Sequence, residues 1–212
     1  WGYNAVPAGQ FAAGASLLFE TDDWGSPVQQ GYLPEADTPA GRNVVFDRAG
    51  AMFKDAFTHG RAVGIKLCMG TETPLTIPKA VQERLKAKGM DPKDPNVVRK
   101  VYEGMFTRIA RAHGLDYYWL WTPEDWTWGN PKPEHIDAVT RDFKLALEAL
   151  DNVGKPFGFA TCGWVLGPPG DRALFDKVLP KSAAISCINR QVGFTPVEPG
   201  FKDVAGRGKW AI

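Results

Sequence analysis

Cysteine and histidine are both scarce, with 3 of each in 212 residues. Three cysteines cannot all pair with one another, and Cys68, Cys162 and Cys187 each sit inside an apolar run. They read as small buried hydrophobes, and no disulfide framework is expected. Three histidines leave little for a zinc hydrolase, which draws several ligands from strands. His59 and His113 fall at helix ends and His135 at a helix start, so no metal site is expected. Neither sign of charge is in excess: 25 Lys and Arg stand against 24 Asp and Glu. With the signs interspersed there is no footprint for nucleic acid or an anionic membrane, and no apolar run approaches the roughly 18 residues of a membrane span. Also missing are G-x-G-x-x-G after the first strand and G-x-x-x-x-G-K-[ST], which weakens nucleotide readings and leaves no cofactor implied. Nucleophilic Ser or Cys chemistry lacks its elbow and base.

What the chain has instead is tryptophan. There are 8, and four of them (Trp119, Trp121, Trp126, Trp128) fall within ten residues. Apolar runs of strand length alternate with longer amphipathic stretches, the pattern of βα units around a parallel sheet. Strands are expected at Ser16–Glu20, Val63–Met69, Tyr117–Trp121, Phe157–Cys162 and Ala183–Ile188, with a sixth beginning near Lys209. Helices are expected near Val45–His59, Ile77–Lys88, Asn96–His113, Pro133–Asn152 and Asp171–Val178. Gly60, Gly114 and Gly154 each follow a helix and precede a strand, the place for a left-handed helix cap.

Alternation alone suits both an open doubly wound sheet and a closed (β/α)8 barrel. The loops favour the barrel, because every clear strand ends in a polar or aromatic cluster and sites assembled from many strand ends are the barrel's habit. The clusters are Glu20-Thr21-Asp22-Asp23-Trp24, Thr71-Glu72-Thr73, Thr122-Pro123-Glu124-Asp125-Trp126, Gly163-Trp164 and Asn189-Arg190-Gln191. Residues two apart on a strand face the same way. One set of rows carries Glu20 and Asp22; Lys66, Cys68, Gly70 and Glu72; Tyr118, Leu120, Thr122 and Glu124; Gly158, Ala160, Cys162 and Trp164; and Ser186, Ile188 and Arg190. The carboxylates are therefore expected to share one mouth. The opposite rows, including Ile65, Leu67 and Met69, Tyr117, Trp119 and Trp121, and Phe157 and Phe159, are bulky and are expected beneath helices.

Carboxylates with indoles beside them suit a sugar, whose flat apolar faces are bordered by hydroxyls. The candidate substrate-binding residues are Asp22, Asp23, Trp24, Glu72, Trp126, Trp128, Trp164, Asn189 and Arg190. At Tyr118–Trp128, within YWLWTPEDWTW, the chain resembles the fourth-strand end of (β/α)8-barrel glycoside hydrolases. Many such families place their general acid/base Glu there, and the resemblance assigns that role to Glu124. Families that use the substrate's own N-acetyl group have two adjacent acids at this point, matching Glu124 and Asp125. The sequence departs from the pattern in having Pro123 where one large clan has Asn, and in lacking a Gly-Gly before the acids. If Ser16–Glu20 corresponds to the barrel's second strand, Lys209–Ile212 begins the seventh, where many retaining relatives carry their nucleophile.

The expectation is one domain over 1–212: an incomplete (β/α)8 barrel of about six strands, fewer than the ~250-residue barrel needs, with further parts of a larger chain beyond it. Trp1 without an initiator Met and the mid-strand ending at Ile212 underlie that expectation. The expected function is hydrolysis of an oligosaccharide or polysaccharide by carboxylate acid/base catalysis, with Glu124 and Asp125 catalytic. Retaining, inverting and substrate-assisted mechanisms stay open, since they differ in carboxyl separation and nucleophile. Two rivals stand: a non-catalytic glycan-binding barrel or fragment, and a divalent-metal-dependent sugar isomerase or aldolase. No compartment is written in the sequence; a periplasmic or secreted location follows only from the inferred substrate.

Overall fold

A computed structural model describes residues 39–77, 79–188 and 198–211. The strand expected at Ser16–Glu20 and the candidates Asp22, Asp23, Trp24, Asn189 and Arg190 lie outside the described residues. Two compact units share the rest: one takes the described parts of Trp1–Ile65 and Ile77–Pro92, the other those of Lys66–Thr76 and Lys93–Ile212. The first contains α1 (Pro39–Ala62) and α2 (Lys79–Ala87). The second is a mixed α/β unit whose elements run β1 (Cys68–Glu72), α3 (Pro95–Ala112), β2 (Tyr117–Trp121), α4 (Pro133–Asn152), β3 (Gly158–Cys162), α5 (Leu174–Val178), β4 (Ala184–Cys187) and β5 (Lys209–Ala211). Its five strands form one sheet in the order β1-β2-β3-β4-β5, with every neighbouring pair parallel. No helix among the described residues is long and apolar enough to cross a membrane.

Helix ends follow a shared rule, displaced from where the sequence suggested. Gly64, Gly89 and Gly154 have φ of 82°, 72° and 82°. At each, the glycine N–H reaches back three residues and the next N–H reaches back five, as in Gly154 to the Asp151 carbonyl (3.1 Å) and Lys155 to the Leu150 carbonyl (2.9 Å). This is the Schellman arrangement, and glycine takes its left-handed position without a Cβ clash. Gly154 was expected; Gly60 and Gly114 were not the caps. α1 runs through Gly60 to Ala62, so Val63 and Ile65, expected in a strand, are each 59% exposed. The strand expected at Val63–Met69 consequently starts only at Cys68. α3 closes on extended His113, whose N–H bonds the Ile109 carbonyl at 2.8 Å.

One face of the sheet carries α3 and α4. Tyr102, Phe106 and Ile109 of α3 recur at helical spacing, as do Val139, Phe143, Ala146 and Leu150 of α4, and all are buried. α3 and α4 pack on one another. Phe106 meets Tyr118 and Phe157 edge-on at 4.8 and 5.5 Å, and Phe143 meets Phe159 and Phe175 at 6.1 and 5.3 Å. Aromatic pairs of this geometry add to the area they bury.

The strand rows match expectation on β1, β3 and β4 and are inverted on β2. Tyr118 and Leu120 are buried on the helix side, whereas Tyr117, Trp119 and Trp121 are half-buried on the opposite face. Register explains the inversion. Trp119 pairs with Gly70 and Ala160, and Tyr117 with Cys68 and Gly158, so only that face has small neighbours to make room for large rings. The Tyr118 hydroxyl also finds Thr71 Oγ1 at 2.8 Å on the helix side. Tyr117 of β2 reaches Trp210 of β5, centroid to centroid 5.3 Å, across Gly158, Ala160, Ala184 and Ser186.

All three cysteines are free. Burial pushes the Cys162 thiol up to about 11 and the Cys187 thiol up to about 12, the latter also through the Glu198 carboxylate, which leaves them poor nucleophiles.

Candidate functional site

Parallel strands deliver their carboxyl ends to one edge, and here two of those ends meet. Glu72 closes β1 opposite Trp121, which closes β2, and the Thr73 N–H donates to the Trp121 carbonyl at 3.0 Å. Beyond Trp121 the chain cannot continue as strand. Pro123 lacks a ladder donor, and a single 3-10 turn, Glu124–Trp126, follows it. Backbone donors then close the segment tightly: Thr127 to the Glu124 carbonyl at 2.9 Å and Gly129 to the Asp125 carbonyl at 2.6 Å. A cleft of about 310 Å³ results, lined by Glu72, Thr73, Trp121, Thr122, Pro123, Glu124, Asp125 and His135. Three of the sequence candidates, Glu72, Glu124 and Asp125, thus share one cleft, and all three are exposed.

Comparison with known proteins finds no matching family model, curated protein or solved structure. The site must be read from its own parts.

The tryptophans divide differently from expectation. Trp126 has no exposed surface; it stacks on Phe175 at 5.8 Å and 8°, so it offers no ring face to the cleft. A 3-10 turn directs it inward, whereas Trp128, two residues on, is 70% exposed. Trp128 pairs with half-buried Trp164, centroids 5.5 Å apart at 53°. Trp121, expected in the core, lines the cleft.

His135 is the functional candidate that sequence reasoning missed. As the third residue of α4 it looked like part of a helix start, yet it lines the cleft. The Trp126 indole N–H donates to His135 Nδ1 at 3.4 Å, and Asp125 Oδ2 lies 3.9 Å from the same nitrogen. A neutral ring accepting at Nδ1 carries its hydrogen on Nε2, while a protonated ring donates from both nitrogens. Nδ1 is therefore the atom at which the fully buried indole and the exposed carboxylate meet. The retrospective signal was spacing: Asp125 and His135 flank a loop whose two ends return to the same strand terminus.

Two further residues hold the walls in place. Arg172, from the loop after β3, donates to the carbonyls of Trp126 (2.8 Å), Thr127 (3.2 Å) and Gly167 (2.8 Å), tying the acid-bearing turn to the neighbouring loop. Asp142 of α4 is 5% exposed. Its Oδ2 accepts from Thr73 Oγ1 at 2.7 Å, Tyr102 Oη at 2.8 Å and the Leu75 N–H at 3.1 Å, fixing the chain immediately after Glu72. Burial raises the Asp142 carboxyl above the usual range, and its three donors recover only part of that. An acid within the apolar stripe of α4 was the available sign. Among the described residues, no three or more His, Cys, Asp or Glu side chains are grouped to hold a metal ion.

Proposed function

We propose that the chain is a carbohydrate-active hydrolase domain of (β/α)8 type, with Glu124 donating a proton to the departing glycosidic oxygen. The observation that carries this reading is the convergence of Glu72, Glu124, Asp125 and Trp121 on one cleft at the carboxyl ends of adjacent parallel strands. Active sites of (β/α)8 barrels sit at that end. The strand order supports the barrel, since it advances without reversal, whereas a doubly wound sheet reverses at its ligand-binding switch point. Glycosidic cleavage needs an acid for the leaving group and a second group acting at the anomeric carbon. Asp125 and Glu72 are the partners available in the cleft.

A glycan-binding domain without turnover is the second reading. The exposure of both Glu124 and Asp125 favours it, because general acids of glycosidases commonly sit in an apolar enclosure. The deciding experiment is Glu124→Gln assayed beside the unaltered chain on a panel of oligosaccharides and alkyl glycosides, whose poor leaving groups need the proton, with and without chelator. The hydrolase reading expects turnover in the unaltered chain, insensitivity to chelator, and a loss of at least 100-fold in kcat in the variant, the scale of general acid catalysis. Undiminished turnover in the variant removes Glu124 from the chemistry. Binding without any turnover supports the second reading, and loss of glycoside cleavage on chelation overturns the metal-free carboxylate mechanism.

A further inference from the structure

We infer that Trp128 and Trp164 form a subsite for a sugar unit beyond the one being cleaved, so that the substrate is an uncharged glycan chain rather than a disaccharide or an acidic polymer. The inference rests on the hydrolase reading for what happens in the cleft, but its geometry is independent. Trp128 follows Asp125 by three residues, and the Gly129 N–H closes that turn on the Asp125 carbonyl at 2.6 Å, so the indole is held one turn from the acids. Trp164 lies just after β3. It follows Gly163, whose missing side chain lets the β3 end pack directly against Thr122, a wall of the cleft. Trp128 therefore stands on the loop that carries two of the cleft's acids, and Trp164 on the neighbouring loop, whose first residue packs on the cleft residue Thr122.

Isolated exposed apolar residues are ordinary on protein surfaces; this pair differs in three respects. Trp128 is the most exposed large hydrophobic side chain among those described, at 70%. Its contact with Trp164 is a tilted one, 53° between planes, which makes a corner able to hold a ring from beneath and from the side. The Trp164 Nε1 is buried, with no hydrogen-bond partner among the described residues, so what the half-buried indole gives to solvent is carbon surface. Such a corner takes the apolar face of a pyranose, while hydroxyls of adjoining units reach the polar cleft.

Charge narrows the class of chain. Among the described residues, Glu72, Glu124 and Asp125 line the cleft, and His135 is the one lining side chain that can carry positive charge. A uronate-bearing chain would bring carboxylates against carboxylates at short range, where like charges repel. Neutral chains, including N-acetylated ones, meet no such cost.

The test measures binding by calorimetry with Glu124→Gln protein, so that turnover does not consume the ligand. The probes are cello-, xylo-, manno-, malto- and chito-oligosaccharides of two to six units, and oligogalacturonates of the same lengths. At least one neutral series is expected to bind tenfold or more tightly at four units than at two. Trp128→Ala should abolish that step, and Trp128→Phe should keep most of it. Because Trp128 is largely in water, both variants should retain the parent's thermal midpoint. The inference is overturned if no neutral series gains affinity with length, if the gain survives Trp128→Ala, or if oligogalacturonates bind best. Failure of the hydrolase reading is distinguishable: it leaves the length-dependent binding intact with no turnover in the unaltered chain.

Discussion

A side chain at Gly70 has nowhere to go. A Cβ built there runs into both the Trp119 ring and the Trp119 carbonyl, and the carbonyl belongs to a strand that cannot move without breaking its ladder with β1. Gly70→Ala is expected to cost about 3 kcal/mol, the upper part of the usual range for overpacking. Denaturant unfolding at constant m-value would measure it, and a change under 0.5 kcal/mol would show that the strands can separate to accept a methyl. The same pair explains what sequence could and could not say about single residues. Glycine after an apolar run gives no sign of this, because its partner Trp119 lies 49 residues further on and only the register names it. Trp126 and Trp128 carry the same signal in the sequence, yet one is enclosed by Phe175 and the other stands in water. The difference comes from a 3-10 turn that Pro123 starts, and local composition does not encode which of two alternate indoles such a turn points inward. Glu72, Glu124 and Asp125 were more legible because polar residues at a strand's carboxyl end have few other places to be.

Elements were legible where a single physical rule sets them. α4 lies where periodicity put it, from Pro133 to Asn152, because proline at the first turn and glycine after the last are strong signals with little tertiary interference. α1 overran its expected end because glycine within a helix is tolerated at about 1 kcal/mol, which makes the first glycine met a poor guide to the cap. The approach to β5 is set by something periodicity does not report. Arg207 has a fully buried side chain, and its guanidinium donates to the carbonyls of Asp176 (2.9 Å), Leu179 (3.0 Å), Pro180 (3.0 Å) and Ala183 (3.0 Å). Its Nε lies 2.8 Å from Asp176 Oδ1. Hydrogen bonding from Lys181, together with Arg207, holds the Asp176 carboxyl below its usual range. One arginine thus gathers the carbonyls left open at the end of α5 and the start of β4, and sets β5 beside them. Lysine cannot reproduce a planar fork. Arg207→Lys should lose about 3 kcal/mol, the low end for breaking a buried pair, which is a fall of roughly 6–12 °C in Tm for a chain of this size. A thermal shift below 2 °C would mean the carbonyls find water instead, and the fork is dispensable.

At the scale of the molecule, alternation of strand and helix revealed the parallel sheet, and its order follows because short connections keep successive strands adjacent. Long-range ties were less visible, and Asp142 is the clearest. Its carboxylate joins α4, through Tyr102, to α3 and, through Thr73 and Leu75, to the chain leaving β1. Three donors on one oxygen make it a junction of the whole unit, yet burial outweighs them and the carboxyl is raised. An acid held above its unfolded value of about 3.9 takes up its proton more readily when folded. Its contribution to stability is therefore fully present below about pH 4 and is lost as pH rises through the folded value. Asp142→Asn keeps an accepting oxygen for Thr73, Tyr102 and Leu75 but has no proton to lose in this range. Unfolding free energies measured by denaturant at half-unit steps from pH 4 to pH 7 should fall less steeply in Asp142→Asn than in the unaltered chain. The two curves should draw together at pH 4, or cross there, and the variant should be the relatively better of the two at pH 7. Asp142→Ala serves as the control for the hydrogen bonds themselves. Leaving three donors without their acceptor should cost on the order of 3 kcal/mol at every pH. Parallel curves for Asp142→Asn and the unaltered chain would show that the junction does not titrate in this range and that its donors outweigh its burial.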